Sequence, residues 1–80
     1  MFRTLVKTTA IAVDDQMVDV RFFELRTGRG ALRYSAEILL GETDRIILDD
    51  DSVTNLEARA TRLVPATLLS RVLASKATAA

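Results

Sequence analysis

The chain has 80 residues, 49% of them hydrophobic, and contains no cysteine and no histidine. Since domains usually need roughly 50 residues or more, this length allows one core and excludes a second domain. Without cysteine and histidine the chain can form neither a disulfide nor a zinc site with sulfur and nitrogen ligands. The 11 basic and 11 acidic residues cancel, which excludes a strongly basic nucleic-acid binder.

The N-terminal segment has two early cations and ends in small residues, as a secretory signal does. The stretch after Lys7 is only six residues long and ends at Asp14, whereas the apolar region of a signal needs roughly 7 to 15 residues. No other apolar run approaches the roughly 20 residues that cross a bilayer. We therefore expect a soluble protein, and the missing cysteine favours the cytoplasm.

Residues 3–13 are rich in Thr, Val and Ile and are predicted to form a first strand, with residues 14–17 as its turn. We expect Val13 to lie opposite Val18 on the next strand. The phase of the apolar residues changes near Val6, which indicates either a β-bulge or a strand buried on both faces.

Apolar residues recur at every second position in two further strands, predicted over 17–27 and 31–40. The three residues Gly28-Arg29-Gly30 connect them. A three-residue loop pairs Val20 with Ile38, so that the apolar faces of the two strands coincide, and it requires a left-handed conformation at its last glycine.

A short fourth strand is predicted over 45–49, after which the apolar spacing changes to the three- and four-residue steps of a helix. Pro65 disfavours helical geometry in the preceding residue but is favoured at a first helical position. The sequence therefore predicts helices over 53–64 and 65–76, followed by a frayed tail over 77–80, and leaves open whether Pro65 kinks one helix or separates two.

The start of the first helix has two candidate caps. Thr54 to Glu57 fits a capping box, whereas Asp51 or Ser52 would cap the helix one turn earlier. In either case the order of elements predicts an α+β domain, in which an antiparallel β-meander of three to four strands is followed by one or two C-terminal helices packed on the sheet.

The residue inventory argues against catalysis. Histidine and cysteine, the side chains best suited to proton transfer and nucleophilic attack near neutral pH, are absent. The run Asp49-Asp50-Asp51-Ser52 could offer oxygen ligands to a hard cation, but consecutive strand residues point to opposite faces and the run lacks the spacing of a calcium loop. We therefore predict a protein without catalytic residues, metal or cofactor, in which these acids cap a helix.

Three arginines, Arg26, Arg29 and Arg33, surround the tip of the central hairpin. Guanidinium groups bind phosphate and carboxylate in a bidentate manner. The tip is therefore a candidate anion or nucleic-acid contact, although no aromatic residue lies among these cations to stack on bases.

The leading hypothesis is a noncatalytic interaction or assembly protein. Phe23, Leu25, Leu39 and Ile47 have the phase opposite to the core and form a second apolar face. The apolar helical positions Leu68, Leu69, Val72 and Leu73 are predicted to lie in the core and would cover one face only. We therefore expect the second face to be an interface, either with another copy or with a larger protein. An enzyme site built on carboxylates is the third, least favoured hypothesis.

Overall fold

The computed structural model describes residues 3–79, and the side chains of residues 3–74. Four antiparallel strands form one sheet in the order β1-β2-β3-β4. The elements are β1 (Arg3–Val13), β2 (Gln16–Arg26), β3 (Leu32–Leu39), β4 (Arg45–Asp50) and α1 (Val53–Ala79). The predicted α+β meander with a helix on the sheet is confirmed.

The central hairpin has the predicted register. Val20 pairs with Ile38, and Arg21 pairs with Glu37. The Thr27 amide donates to the Ala31 carbonyl at 2.9 Å, which closes a three-residue loop. Gly30, the last residue of that loop, has φ of 82°, the left-handed conformation that glycine adopts without a steric penalty.

The hairpin of β1 and β2 differs from the prediction. Val13 pairs with Gln16, so the loop consists of the two residues between them. Val18 therefore lies opposite Ile11, and the predicted pairing of Val18 with Val13 is wrong. Asp14 has φ of 54°, and aspartate is among the few residues that tolerate this conformation in a tight turn. A shift by two residues leaves every side chain on the same face, so the apolar pattern could not detect it.

The irregular phase of the first strand is a β-bulge. The register shifts between Leu5 and Lys7, and the residue between them, Val6, is the extra one. This confirms one of the two alternatives that the sequence left open, and it places Leu5 on the face opposite α1 while Lys7 lies on the face that α1 covers.

The hydrophobic core lies between α1 and one face of the sheet. Its largest fully buried side chains are Phe22, Ile38, Leu56, Val20 and Val64. The strand residues in this set have even numbers and share one face because side chains alternate across a strand. The helix therefore covers this face, and no second layer within residues 3–79 covers the other face of the sheet.

Helix α1 runs through Pro65 without interruption, so the two predicted helices over 53–64 and 65–76 are one helix. Val64 is fully buried in the core while Pro65 is exposed, which indicates that packing on the sheet maintains helical geometry where local preference opposes it. The helix continues through residues 77–79, which were predicted as a tail, and Ala80 lies outside the described residues.

The N-terminal cap of α1 is Ser52. Its hydroxyl accepts a hydrogen bond from the amide of Asn55 at 3.1 Å, and the helix begins at Val53. The earlier of the two candidate caps is therefore the one used, and the capping box at Thr54 is not needed.

Candidate interaction surfaces

The sheet face opposite α1, which we call the open face, carries the four residues predicted as an interface: Phe23, Leu25, Leu39 and Ile47. Phe23 is only 9% exposed and Ile47 is 59% exposed, while Leu25 and Leu39 are half-buried. The structure therefore brings the predicted set to one face, but only Ile47 of the four is largely exposed there.

A cluster of charges lies at the centre of the open face. The side chain of Glu37 is 5% exposed, and it is surrounded by guanidinium nitrogens of Arg3 at 3.4 Å, Arg21 at 3.9 Å and Arg45 at 3.6 Å. The arginine side chains are themselves 48–60% exposed. Three cations therefore enclose one acid and leave a local excess of positive charge facing solvent.

Arg3 also covers the aromatic residue of the open face. Its guanidinium carbon lies 4.1 Å from the centre of the Phe23 ring, within the range of a cation–π contact. The bulge in β1 puts Arg3 on the open face, where its side chain lies over the ring and helps to bury Phe23. The sequence revealed the pairing of Arg21 with Glu37 but not the approach of Arg3 from two strands away.

The hairpin tip does not present three free arginines. Arg33 donates to Asp49 at 3.0 Å and also pairs with Asp51, and the hydrogen bond with Asp49 raises the pKa of Arg33 above its usual value. Arg26 donates to the carbonyl oxygen of Gly30 at 3.4 Å. The charge of Arg33 is thus offset by two acids, and binding of nucleic acid by this tip stays a prediction.

The acidic run at the end of β4 organises the corner between strand and helix. Asp50 accepts hydrogen bonds from the Asn55 side chain at 3.1 Å and from Arg59 at 3.2 Å. These contacts lower the pKa of Asp50. The hydrogen bond from Asn55 lowers it most, and the hydrogen bond from the Asp51 amide comes next. Within the described residues, no group of three or more acids could hold a metal ion.

In the C-terminal half of α1, the prediction that the apolar residues lie in the core is wrong for three of the four. Leu68 packs against the core as expected, but Leu69, Val72 and Leu73 are 60%, 48% and 57% exposed. Leu69 and Val72 line a groove of about 410 Å³ between the helix and the turn that joins β1 to β2. Beyond Leu68 the helix extends past the core, so Leu69, Val72 and Leu73 stay largely exposed.

Comparison with protein-family models, curated proteins and solved structures finds no match for this chain. Across residues 3–79, no helix combines the length and the apolar character needed to cross a membrane. The argument about function therefore rests on the surfaces described above.

Proposed function

We propose that this chain is a noncatalytic protein-interaction or assembly module, which associates with itself or docks onto a larger protein. The observation that carries the proposal is the open face. It is a four-stranded surface on which Leu25 and Leu39 are half-buried and Ile47 is 59% exposed. No second layer in the described part of the chain covers them. Apolar residues beside partly exposed arginines are a composition found in the centres of protein interfaces.

The small size of the chain supports the same reading. A domain of this length buries a smaller share of its surface than a larger domain does, so an added contact surface contributes proportionally more to its stability. Leu5 adds to the open face at its edge with 53% exposure. A partner that covers this face would therefore remove several partly exposed aliphatic side chains from water at once.

The proposal is tested by a charge placed on the open face. Ile47→Asp is expected to abolish association, because it would bury a carboxylate in the contact. Leu73→Asp is the matched control, because Leu73 is 57% exposed on α1. Sedimentation at tens of micromolar reports self-association of each variant.

Docking onto a larger protein is tested by a photoreactive benzoylphenylalanine at position 47, compared with the same group at position 29 on the hairpin tip. Cross-links to protein from position 47 and not from position 29 are expected in the cells that produce the chain. A monomer in sedimentation, together with equal cross-linking from the two positions, would contradict the proposal.

A further inference from the structure

The arginine cluster on the open face has hydrogen-bond donors that no group in the described chain accepts. Arg3 donates to Glu37 at 3.4 Å. Arg21 and Arg45 lie 3.9 and 3.6 Å from the same carboxylate, too far for a hydrogen bond, and no other described group accepts one from either side chain. A guanidinium group has five N–H donors. Glu37 therefore holds two half-exposed guanidinium groups whose donors are available to an incoming acceptor.

The cluster also keeps an excess of positive charge, because its three arginines face one acid. Two further acids lie on the open face. Asp49 is paired with Arg33 at 3.0 Å, and Asp19 makes no ion pair with a described side chain. The register places these two acids in the rows on either side of the row that contains Arg21 and Glu37. The centre of the open face is therefore positive and is bounded by acids.

Aliphatic side chains adjoin the cluster. Ile47 pairs with Glu37 and is 59% exposed, while Leu39 pairs with Arg45 and is half-buried. Paired residues on one face of a sheet have Cβ atoms about 4.5–5.5 Å apart. A ligand that reaches the arginines therefore also contacts aliphatic surface, so the site fits a ligand that is both acidic and apolar.

We propose that the open face binds an acidic peptide segment of another protein. A carboxylate of the segment binds Arg21 and Arg45, and an aliphatic or aromatic side chain next to it packs on Ile47. The inference rests on the proposed function and adds to it the chemistry of the partner. Guanidinium groups bind carboxylates in a bidentate manner. Because Glu37 positions them before the partner arrives, less conformational entropy is lost on binding.

A second copy of the chain fits this site poorly. A twofold contact between two open faces pairs each surface with itself. When such a contact is centred on the cluster, it sets the three arginines of one copy against those of the other. Juxtaposed like charges oppose association, so the charge of the cluster favours a different chain as partner.

Nucleic acid also fits this site poorly. Each strand of a DNA duplex carries one negative charge per roughly 3.4 Å and needs an extended positive track, whereas Asp19 and Asp49 limit the positive area to the centre of the face. Phe23, the aromatic residue of this face, is 9% exposed and lies under Arg3, so it cannot stack on bases. A short carboxylate-bearing segment matches the small positive area better.

The test uses phage-displayed random peptides as the probe, selected on the immobilised full chain. Selected peptides are expected to combine Asp or Glu with an adjoining aliphatic or aromatic residue. Their binding, measured by fluorescence anisotropy, is expected to weaken at least about tenfold in Arg45→Gln, because the carboxylate loses a charged donor. The matched control is Arg29→Gln at the hairpin tip, which makes the same change of charge and is expected to bind as the wild type does.

A cross-link locates the peptide without any arginine variant. The full chain with benzoylphenylalanine at position 47 is expected to cross-link to the selected peptides, whereas the same group at position 29 is not. This measurement decides the location even if Arg45→Gln folds poorly, which urea denaturation would reveal.

Selected peptides that lack acids, or that bind Arg45→Gln as tightly as the wild type, would overturn the inference. So would a selection that yields no peptide cross-linked from position 47. A wild-type dimer that Arg45→Gln dissociates would show that the partner is a second copy. Binding of a single-stranded DNA oligonucleotide that is tighter than that of the peptides and lost in Arg45→Gln would show that the ligand is nucleic acid.

The inference can fail while the proposed function stands. In the cells that produce the chain, that result would be cross-linking to protein from position 47 that Arg45→Gln does not reduce. Equal cross-linking from positions 47 and 29 in a monomeric chain would instead remove the proposed function itself.

Discussion

At the scale of single residues, the most unusual feature is a nearly buried carboxylate on a sheet face that no other described element covers. Glu37 has a 5% exposed side chain because Arg3, Arg21 and Arg45 lie around it. Removing one member of such a group leaves the others without their counter-charge, which is more destabilising than the loss of an exposed ion pair.

We predict that Glu37→Ala lowers the free energy of unfolding by about 1–2 kcal/mol, less than for a fully buried pair because the arginines remain half exposed to water. Urea denaturation measures the change. Glu24→Ala on the same hairpin, where the carboxylate makes no ion pair with the described side chains, is expected to have a much smaller effect. Equal losses in the two variants would show that the arginine cluster does not stabilise the fold.

Asp50 links the stability of the strand-to-helix corner to pH. Hydrogen bonds from Asn55, the Asp51 amide and Arg59 lower its pKa in the folded chain. A carboxyl whose pKa is lower when folded contributes stability above its unfolded pKa, and this contribution is lost as the pH falls through the folded value. The corner is therefore expected to weaken only in acid, below about pH 4.

We predict that Asp50→Asn reduces the difference in urea midpoint between neutral pH and about pH 3, because asparagine cannot take up a proton there. The variant is also expected to be less stable than the wild type at neutral pH, because Arg59 loses its carboxylate partner. Asp15→Asn in the turn between β1 and β2 is the control and should keep the wild-type difference. An unchanged acid dependence in Asp50→Asn would mean that other carboxylates dominate.

At the scale of elements, the tight turns set the strand registers. The central hairpin depends on one backbone conformation, because Gly30 has φ of 82°. A Cβ at either Gly28 or Gly30 would meet no other atom within 4 Å. The two glycines therefore differ in their backbone conformation and not in the space around them, which makes them a matched pair.

We predict that Gly30→Ala lowers the free energy of unfolding by about 1 kcal/mol, the cost of a left-handed residue with a Cβ. Gly28→Ala is expected to leave stability unchanged or to raise it slightly, because alanine reduces the freedom of the unfolded chain. Thermal or urea unfolding of both variants measures the difference. Equal effects would indicate that the loop does not keep the described conformation in solution.

At the scale of the whole molecule, one helix and one sheet face make the only core in the described chain. Leu56 is fully buried at this contact, and the helix has no other large surface that attaches it to the sheet. An 80-residue domain has a total stability of only roughly 4–12 kcal/mol at the usual stability per residue. The attachment of the helix therefore accounts for a large share of the whole.

We predict that Leu56→Ala costs about 2–5 kcal/mol, enough to unfold a measurable fraction of the protein. Circular dichroism during urea denaturation should show the helix and the sheet lost in one transition. Leu73→Ala removes the same atoms from an exposed position and is expected to be nearly neutral. A small effect of Leu56→Ala, or separate transitions for helix and sheet, would contradict a single shared core.

Much of this fold follows from periodicity alone. Alternating apolar residues in β2 and β3 determined which faces coincide, and the phase change near Val6 indicated either a bulge or a strand buried on both faces. The register of β1 did not follow, because a shift of two residues preserves the faces. The pairing of Val13 with Gln16, which fixes a two-residue loop, appears only in the structure.

The remaining features depend on tertiary structure. Local preference left open whether Pro65 kinks one helix or separates two. Helix α1 continues because Val64 is held in the core on one side of the proline and Leu68 packs on the other. Arg3 reaches Glu37 and Phe23 only because the sheet brings residues from distant parts of the chain together. Sequence patterns show which side of an element is buried, because that depends on residues a few positions apart. Contacts between distant side chains, and the strand edges that stay open, are decided only when the elements pack together.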